Sequence, residues 1–83
     1  MKRFRISGES MKPTLKHGDY VLVKQSKKLD IGDIAVFKQN SMTLVKRIID
    51  MLGDHYILSG DNSICSSHKV SKESIIGKAI IKA

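Results

Sequence analysis

Apolar residues alternate with polar ones in five short runs along this chain of 83 residues. Alternation with a period of two predicts half-buried β-strands, and turn signals spaced about ten residues apart are typical of antiparallel β-sandwiches and barrels. The strands are predicted at Tyr20–Val23, Ile34–Phe37, Met42–Ile49, His55–Leu58 and Ile75–Ile81. We therefore predict an all-β chain, with helix limited to single turns at Met11–Leu15 and Lys72–Ser74.

Turn residues separate the predicted strands. Gly-Asp pairs stand at positions 18–19, 32–33 and 53–54. They predict turns rather than chemistry, because glycine supplies positive φ and aspartate caps nearby backbone. Gln39–Ser41 predicts a hairpin turn. Asn62–Val70 is mostly polar, so we expect one long loop there, and such a loop in a compact domain is either mobile or functional.

The length fits a single domain, residues 1–83. Cys65 is the only cysteine, so no disulfide forms within the chain and no oxidising compartment is needed. The N-terminus lacks the apolar core of a signal peptide, and no apolar run approaches the length of a membrane span. We expect a soluble, cytoplasmic protein without a membrane anchor.

The chain is basic, with 15 Lys and Arg against 8 Asp and Glu and a formal net charge of +7. Such a charge attracts nucleic acid, anionic membranes or acidic proteins through its long-range field. The lysines are scattered, however, and Lys2–Arg5 and Lys27–Lys28 form only small clusters. No basic run is interleaved with aromatic residues, which favours a solubilising surface over a nucleic-acid interface.

Lys46 lies in the middle of an apolar predicted strand. Residues two apart in a strand share a face, so Leu44, Lys46 and Ile48 line one side, and Arg47 points to the other. Between two aliphatic neighbours a lysine loses solvation, which disfavours its charged form, and a neutral amine is a usable general base. Periodicity alone does not decide which face is exposed, and an exposed lysine is the commoner outcome.

Ser10 lies between Gly8 and Pro13. A nucleophilic hydroxyl needs a constrained turn and a nearby backbone N–H for the developing oxyanion. Gly8 allows a close backbone approach, and Pro13 stiffens the exit from the turn. A serine whose proton is taken by a neutral lysine can carry out amide hydrolysis.

Five segments of the chain together resemble one family. The longest is Ser7–Leu15, Ser-Gly-Glu-Ser-Met-Lys-Pro-Thr-Leu, which looks like the nucleophile segment of type I signal peptidases. The others follow in the family's order at 18–23, 32–38, 45–48 and 59–62. The wider group includes the self-cleaving repressors of phages and of the SOS response. The resemblance covers residues 6 to about 78, nearly the whole chain.

The resemblance implies an all-β fold, a small antiparallel, partly closed β-barrel or sandwich. It implies a serine endopeptidase for limited proteolysis, with Ser10 as the nucleophile, Lys46 as the general base and the Ser10 backbone N–H in the oxyanion hole. Ser66, with Ser67 as the fallback, would hydrogen-bond the lysine. The substrate would be a protein or peptide in extended conformation beside the nucleophile strand, with no cofactor or metal. Short soluble relatives include proteases that mature nickel superoxide dismutase, which suits a dedicated processing role.

Other interpretations stay open. The same barrel, catalytically inactive, could bind nucleic acid or another acidic partner. The net charge favours this, and so does Ser67–Lys69, which replaces the Asp-Ser pair usual in signal peptidases. Cys65 and His68 have a spacing seen in metal sites but lack further ligands, and a Cys65 nucleophile with His68 as base lacks an oxyanion hole. Lys2–Arg5 gives only weak attraction to anionic membranes. The sequence does not indicate an oligomeric state.

Overall fold

Seven strands make up the regular structure of the computed structural model, which describes residues 2–62 and 66–82. The strands are β1 (Lys2–Arg5), β2 (Tyr20–Gln25), β3 (Ile34–Gln39), β4 (Met42–Leu52), β5 (His55–Ser59), β6 (Ser67–Ser71) and β7 (Ile75–Lys82). They pair antiparallel in the order β1-β2-β7-β3-β4-β5-β6, and the sheet curls into a half-barrel. The predicted all-β, antiparallel, partly closed architecture is confirmed.

All five predicted strands are present, and β4 extends three residues further than predicted, to Leu52. The predicted hairpin turn joins β3 to β4. Gln39 pairs with Met42, and the two residues between them have positive φ, 51° at Asn40 and 67° at Ser41. Two positive φ values in a two-residue loop match the right-handed twist of the strands that it connects.

The prediction of one long loop over Asn62–Val70 is wrong, because β6 occupies its second half. This strand and β1 are the two that the alternation pattern missed. Both lie at an edge of the sheet. In β6 the single buried apolar residue is Val70, so the sequence of this strand shows almost no alternation of apolar and polar residues.

Both single-turn predictions are confirmed. The N–H of Leu15 donates to the carbonyl of Met11 at 2.9 Å, which closes one helical turn. A 3₁₀ turn spans Lys72–Ser74. Among the described residues, no helix is long and apolar enough to cross a membrane.

Two hydrophobic clusters lie on opposite faces of β3 and β4. Ala35 and Phe37 belong to one cluster, while Val36 and Val45 belong to the other. Because successive strand residues point to opposite faces, the centre of β3 is buried on both sides. The same holds for the centre of β4, where Val45, Lys46 and Ile48 are all buried.

The topology brings the ends of β1 and β4 to the same end of the sheet. Each neighbouring pair between them is antiparallel, so β1, β7 and β4 run in one direction. Within the described residues, the ladder between β4 and β5 begins at Arg47, so residues 42–46 of β4 pair with β3 alone. The edge strand β1 and the unpaired half of β4 therefore run in the same direction.

Candidate active site

Ser10 and Lys46 line one small pocket of about 60 Å³. The described residues that line it are Phe4, Ile6, Ser7, Ser10, Met11, Thr43, Leu44, Val45 and Lys46. The pocket lies between the end of β1 and the unpaired half of β4. Consecutive residues of β4 line it, so both faces of that strand border the pocket at its open edge.

Lys46 retains only 9% of its accessible surface, and it is the one charged residue among the buried ones of the described chain. Leu44 and Ile48, which share its face, pack in the first cluster, and Ala35 pairs with it on β3. The interpretation as an exposed surface lysine is therefore wrong. The ion pairs of the described residues are Glu9–Lys12, Asp61–Arg47 and Asp33–Lys78, and none includes Lys46.

The turn that carries Ser10 is anchored by Met11 and Leu15, whose buried side chains belong to the second cluster. Ser10 itself is half-buried. Gly8 has a φ of 85°, and a Cβ added there would meet nothing within 4 Å. Its backbone conformation, rather than the close approach expected from the sequence, is therefore what requires glycine. The Gly8 N–H donates to Nδ1 of His17 at 3.0 Å, a contact that the sequence did not indicate.

Asn62 holds the backbone on both sides of the Ser10 α-carbon. Its N–H donates to the Ser10 carbonyl at 2.9 Å, and its side-chain Nδ2 donates to the Glu9 carbonyl at 3.2 Å. The Lys12 N–H also donates to the Glu9 carbonyl, at 3.2 Å. The Glu9 carbonyl and the Ser10 N–H belong to one planar trans peptide, so fixing the oxygen fixes the direction of that N–H.

Asp61 joins the same turn to β4. Its two carboxylate oxygens accept from Nε and Nη2 of Arg47, each at 2.8 Å, and Oδ2 also accepts from the Thr14 hydroxyl. Arg47 in turn donates from Nη1 to the Gly32 carbonyl at 2.7 Å. Paired, parallel bonds of this kind are the strong, orienting form of an ion pair. Asp61 therefore links the turn that carries Ser10 to the strand of Lys46.

These contacts shift the pKa values of both partners. The hydrogen bond from Arg47 holds the pKa of Asp61 below its usual range, with a further contribution from Thr14 and some opposition from burial. The hydrogen bond to Asp61 raises the pKa of Arg47. As the alternation predicts, Arg47 lies on the face opposite Lys46. Asn62 bonds to backbone of the Ser10 turn, whereas Asp61 bonds to the side chains of Arg47 and Thr14.

Ser66 lies just before β6, exposed, and it is not among the described residues that line the pocket. Ser67, the fallback, is exposed as well and pairs with Ser59. The suggestions that involve Cys65 fall outside the described residues. Within 2–62 and 66–82, no three His, Cys, Asp or Glu side chains are grouped as metal ligands would be.

A half-barrel of antiparallel strands with a serine and a buried lysine at one pocket matches a known class of protein. The chain belongs to the Peptidase S24-like family, whose model matches residues 2–80. It is 35% identical over 77 residues to signal peptidase I U of Bacillus subtilis (strain 168). That alignment covers 86% of this chain and 41% of the relative, so the chain spans less than half of the relative's length.

Proposed function

We propose that this protein is a serine endopeptidase that cleaves a protein substrate at a limited number of sites, with Ser10 as nucleophile and Lys46 as general base. The observation that carries the proposal is the shared pocket, in which the lysine is buried and forms no ion pair with a carboxylate of residues 2–62 or 66–82. Membership of a peptidase family supports the same chemistry. A solvated lysine on the surface would not serve as this base.

The proposed reaction is acyl transfer through a Ser–Lys dyad. The Lys46 amine takes the proton of the Ser10 hydroxyl as the Ser10 oxygen attacks the scissile carbonyl. The oxyanion accepts a hydrogen bond from the Ser10 N–H. The lysine then gives its proton to the leaving amine, and the C–N bond breaks. Lys46 next removes a proton from water, which hydrolyses the acyl-enzyme and returns both residues to their starting state.

The substrate would lie extended between β1 and the unpaired half of β4. Each offers backbone groups that lack a strand partner on one side among the described residues. An added strand gains main-chain hydrogen bonds from such an edge, and its alternate side chains enter pockets. Because β1 and the unpaired half of β4 both border the pocket, a chain that pairs with them passes close to Ser10.

Ser66 is proposed to support Lys46, on the basis of strand register. Arg47 pairs with Ser59 and Ser59 pairs with Ser67. One step further along both ladders, Lys46 and Ser66 fall in one cross-strand row, two strands or about 10 Å apart. This register supports the proposed role of Ser66, because a hydroxyl on that side of Lys46 could approach the amine.

Peptide hydrolysis by matched variants tests this proposal. Ser10→Ala and Lys46→Ala are each expected to lower cleavage of a mixed peptide library by at least about 10³-fold, because neither dyad member acts alone. Ser26→Ala and Lys69→Ala, which alter the same residue types away from the pocket, should leave cleavage unchanged. Circular dichroism controls for folding. Full activity in either dyad variant would refute the assignment.

A catalytically inactive barrel that binds nucleic acid or another acidic partner is the second candidate. The net charge of +7 is the observation that favours it. It predicts binding that weakens steeply as salt is raised, together with no hydrolysis by the wild-type protein. The same library experiment, run beside a salt titration of binding, separates the two candidates.

A further inference from the structure

Two adjoining cavities lie where β1 and β7 begin and where β2 and β3 end. The first, of about 370 Å³, is lined by Lys2, Val23, Lys24, Gln25 and Ile76. The second, of about 290 Å³, is lined by Gln25, Lys27, Lys38, Glu73, Ser74, Ile75 and Ile76. Because Gln25 and Ile76 line both, the two form one continuous depression, which we call the lysine cleft.

The lysine cleft continues the proposed substrate path. Lys2 and Phe4 share one face of β1, and Phe4 lines the pocket of Ser10. On the other side, Lys38 pairs with Thr43, which also lines that pocket. Ile6 follows Lys2 by four positions, or about 13 Å of extended chain. An extended chain with its scissile bond at Ser10 therefore reaches the cleft about four or five residues away.

The charge of the cleft is strongly one-sided. Four lysines line it against one acidic residue, Glu73. The Lys27 amine donates to the backbone carbonyl of Glu73 at 2.9 Å, so that carboxylate is not its partner. No ion pair of the described residues involves any of the four lysines. Val23 and Ile76, which both pack in the second cluster, line the first cavity and form an apolar floor beside these ammonium groups.

We propose that the lysine cleft selects protein substrates with acidic side chains four to five residues from the scissile bond, on the side of the substrate that lies along β1. The proposal rests on the proposed peptidase function and adds a substrate preference to it. Acidic side chains supply the missing counter-charges, and their methylene groups, or an aliphatic neighbour, cover the apolar floor.

A peptide fits the cleft better than a nucleic acid does. Binding of single-stranded nucleic acid uses aromatic side chains on which bases stack. Among the described residues that line the two cavities there is no aromatic side chain. Tyr20 is engaged elsewhere, with the Arg3 guanidinium 4.4 Å from its ring centre. The continuity with the Ser10 pocket also favours a chain that occupies both.

Binding and cleavage are measured separately in the test. Binding of fluorescein-labelled (Glu-Ala)₅ and (Gln-Ala)₅ peptides to the Ser10→Ala variant is followed by anisotropy. The acidic peptide is expected to bind about fivefold more tightly at low salt, and the difference should vanish near 1 M salt. Lys2→Glu/Lys38→Glu should abolish the preference, and the charge-matched Lys16→Glu/Lys69→Glu should retain it. The milder Lys2→Gln/Lys38→Gln should weaken it and controls for misfolding.

Cleavage sites are then mapped on a proteome-derived peptide library. The proposal expects Glu and Asp to be enriched four to five residues from the cut on one side only, and the enrichment to disappear in Lys2→Glu/Lys38→Glu. Cleavage without any acidic enrichment would overturn the proposal and leave the peptidase standing. Selective peptide binding without cleavage would keep the cleft and refute the peptidase. A duplex DNA that outcompetes the acidic peptide through the same lysines would replace the peptide as the ligand.

Discussion

Asn62 donates its backbone N–H to the carbonyl of Ser10 at 2.9 Å, across 52 positions of sequence. Its side chain reaches the preceding carbonyl, that of Glu9. Two of the segments that resemble signal peptidases, 7–15 and 59–62, are thus in direct contact. The second segment holds the first in the conformation that directs the Ser10 N–H.

Asn62→Ala tests this positioning role. Loss of the bond to the Glu9 carbonyl should let the Ser10 N–H rotate, and kcat should fall by roughly tenfold to a hundredfold, since loss of a whole oxyanion donor costs about 10²–10³. KM should change little, because the side chain does not line the pocket. Gln39→Ala, another lost amide, is the control. An Asn62→Ala enzyme with wild-type kcat would contradict the role.

Asp61→Asn should destabilise the fold. It breaks the paired bonds to Arg47, whose side chain is 32% exposed, and removes the charge that Thr14 donates to. We expect a loss of roughly 1–2 kcal/mol in the free energy of unfolding, reduced from the buried-pair range by partial solvent screening. Thr14→Val should cost less, and Asp54→Asn, at an exposed carboxylate, close to nothing. Urea denaturation measures all three variants. A denaturation midpoint of Asp61→Asn equal to that of the wild type would show that Asp61 does not stabilise the fold.

The stability of the wild type should also depend on pH through Asp61. Because its pKa is lower in the folded protein than in the unfolded chain, its contribution is complete above the unfolded value, about 3.9. The contribution is lost as pH falls through the lower, folded value. The free energy of unfolding of the wild type should therefore exceed that of Asp61→Asn by an amount that is constant near neutrality and shrinks below about pH 4. A stability difference that grows as pH falls would contradict the lowered pKa of Asp61.

Gly77→Ala should destabilise the contact between β2 and β7. An added Cβ would lie 2.5 Å from the Lys24 carbonyl oxygen and 2.8 Å from Cγ1 of Val23, so backbone must shift. Overpacking of this kind typically costs about 1–3 kcal/mol. The neighbouring Lys78→Ala loses only a partly exposed ion pair to Asp33 and should cost less than about 1 kcal/mol. Thermal unfolding compares them, and a neutral Gly77→Ala would show that the strands separate easily.

Local pattern was enough to predict the strands with a full apolar face. The alternation in Ile34–Phe37 and His55–Leu58 reflects burial that each strand carries in its own residues. It failed for β1 and β6, where edge position leaves few buried side chains. It also failed to identify the buried face of β4. Periodicity assigns residues to two faces but does not say whether each face is covered, and both faces of this strand are covered at its centre.

The site depended on contacts that no local pattern contains. Asp61 bonds to Thr14, which precedes it by 47 positions, and to Arg47, which precedes it by 14 positions. Only the order of the five segments suggested that they belong together. The role of His17 as acceptor for the Gly8 N–H has no signature in sequence, because it depends on how the chain returns after the Ser10 turn.

Covalent capture of Ser10 is the most direct test of the central claim. The protein is incubated with a β-lactam-type acylating inhibitor, its intact mass is followed over time, and the modified residue is located by tandem mass spectrometry. A Ser–Lys dyad should give a single acyl adduct on Ser10, none in Ser10→Ala, and acylation slowed by at least about 10³-fold in Lys46→Ala. An adduct on another residue, or acylation at the wild-type rate without Lys46, would contradict it.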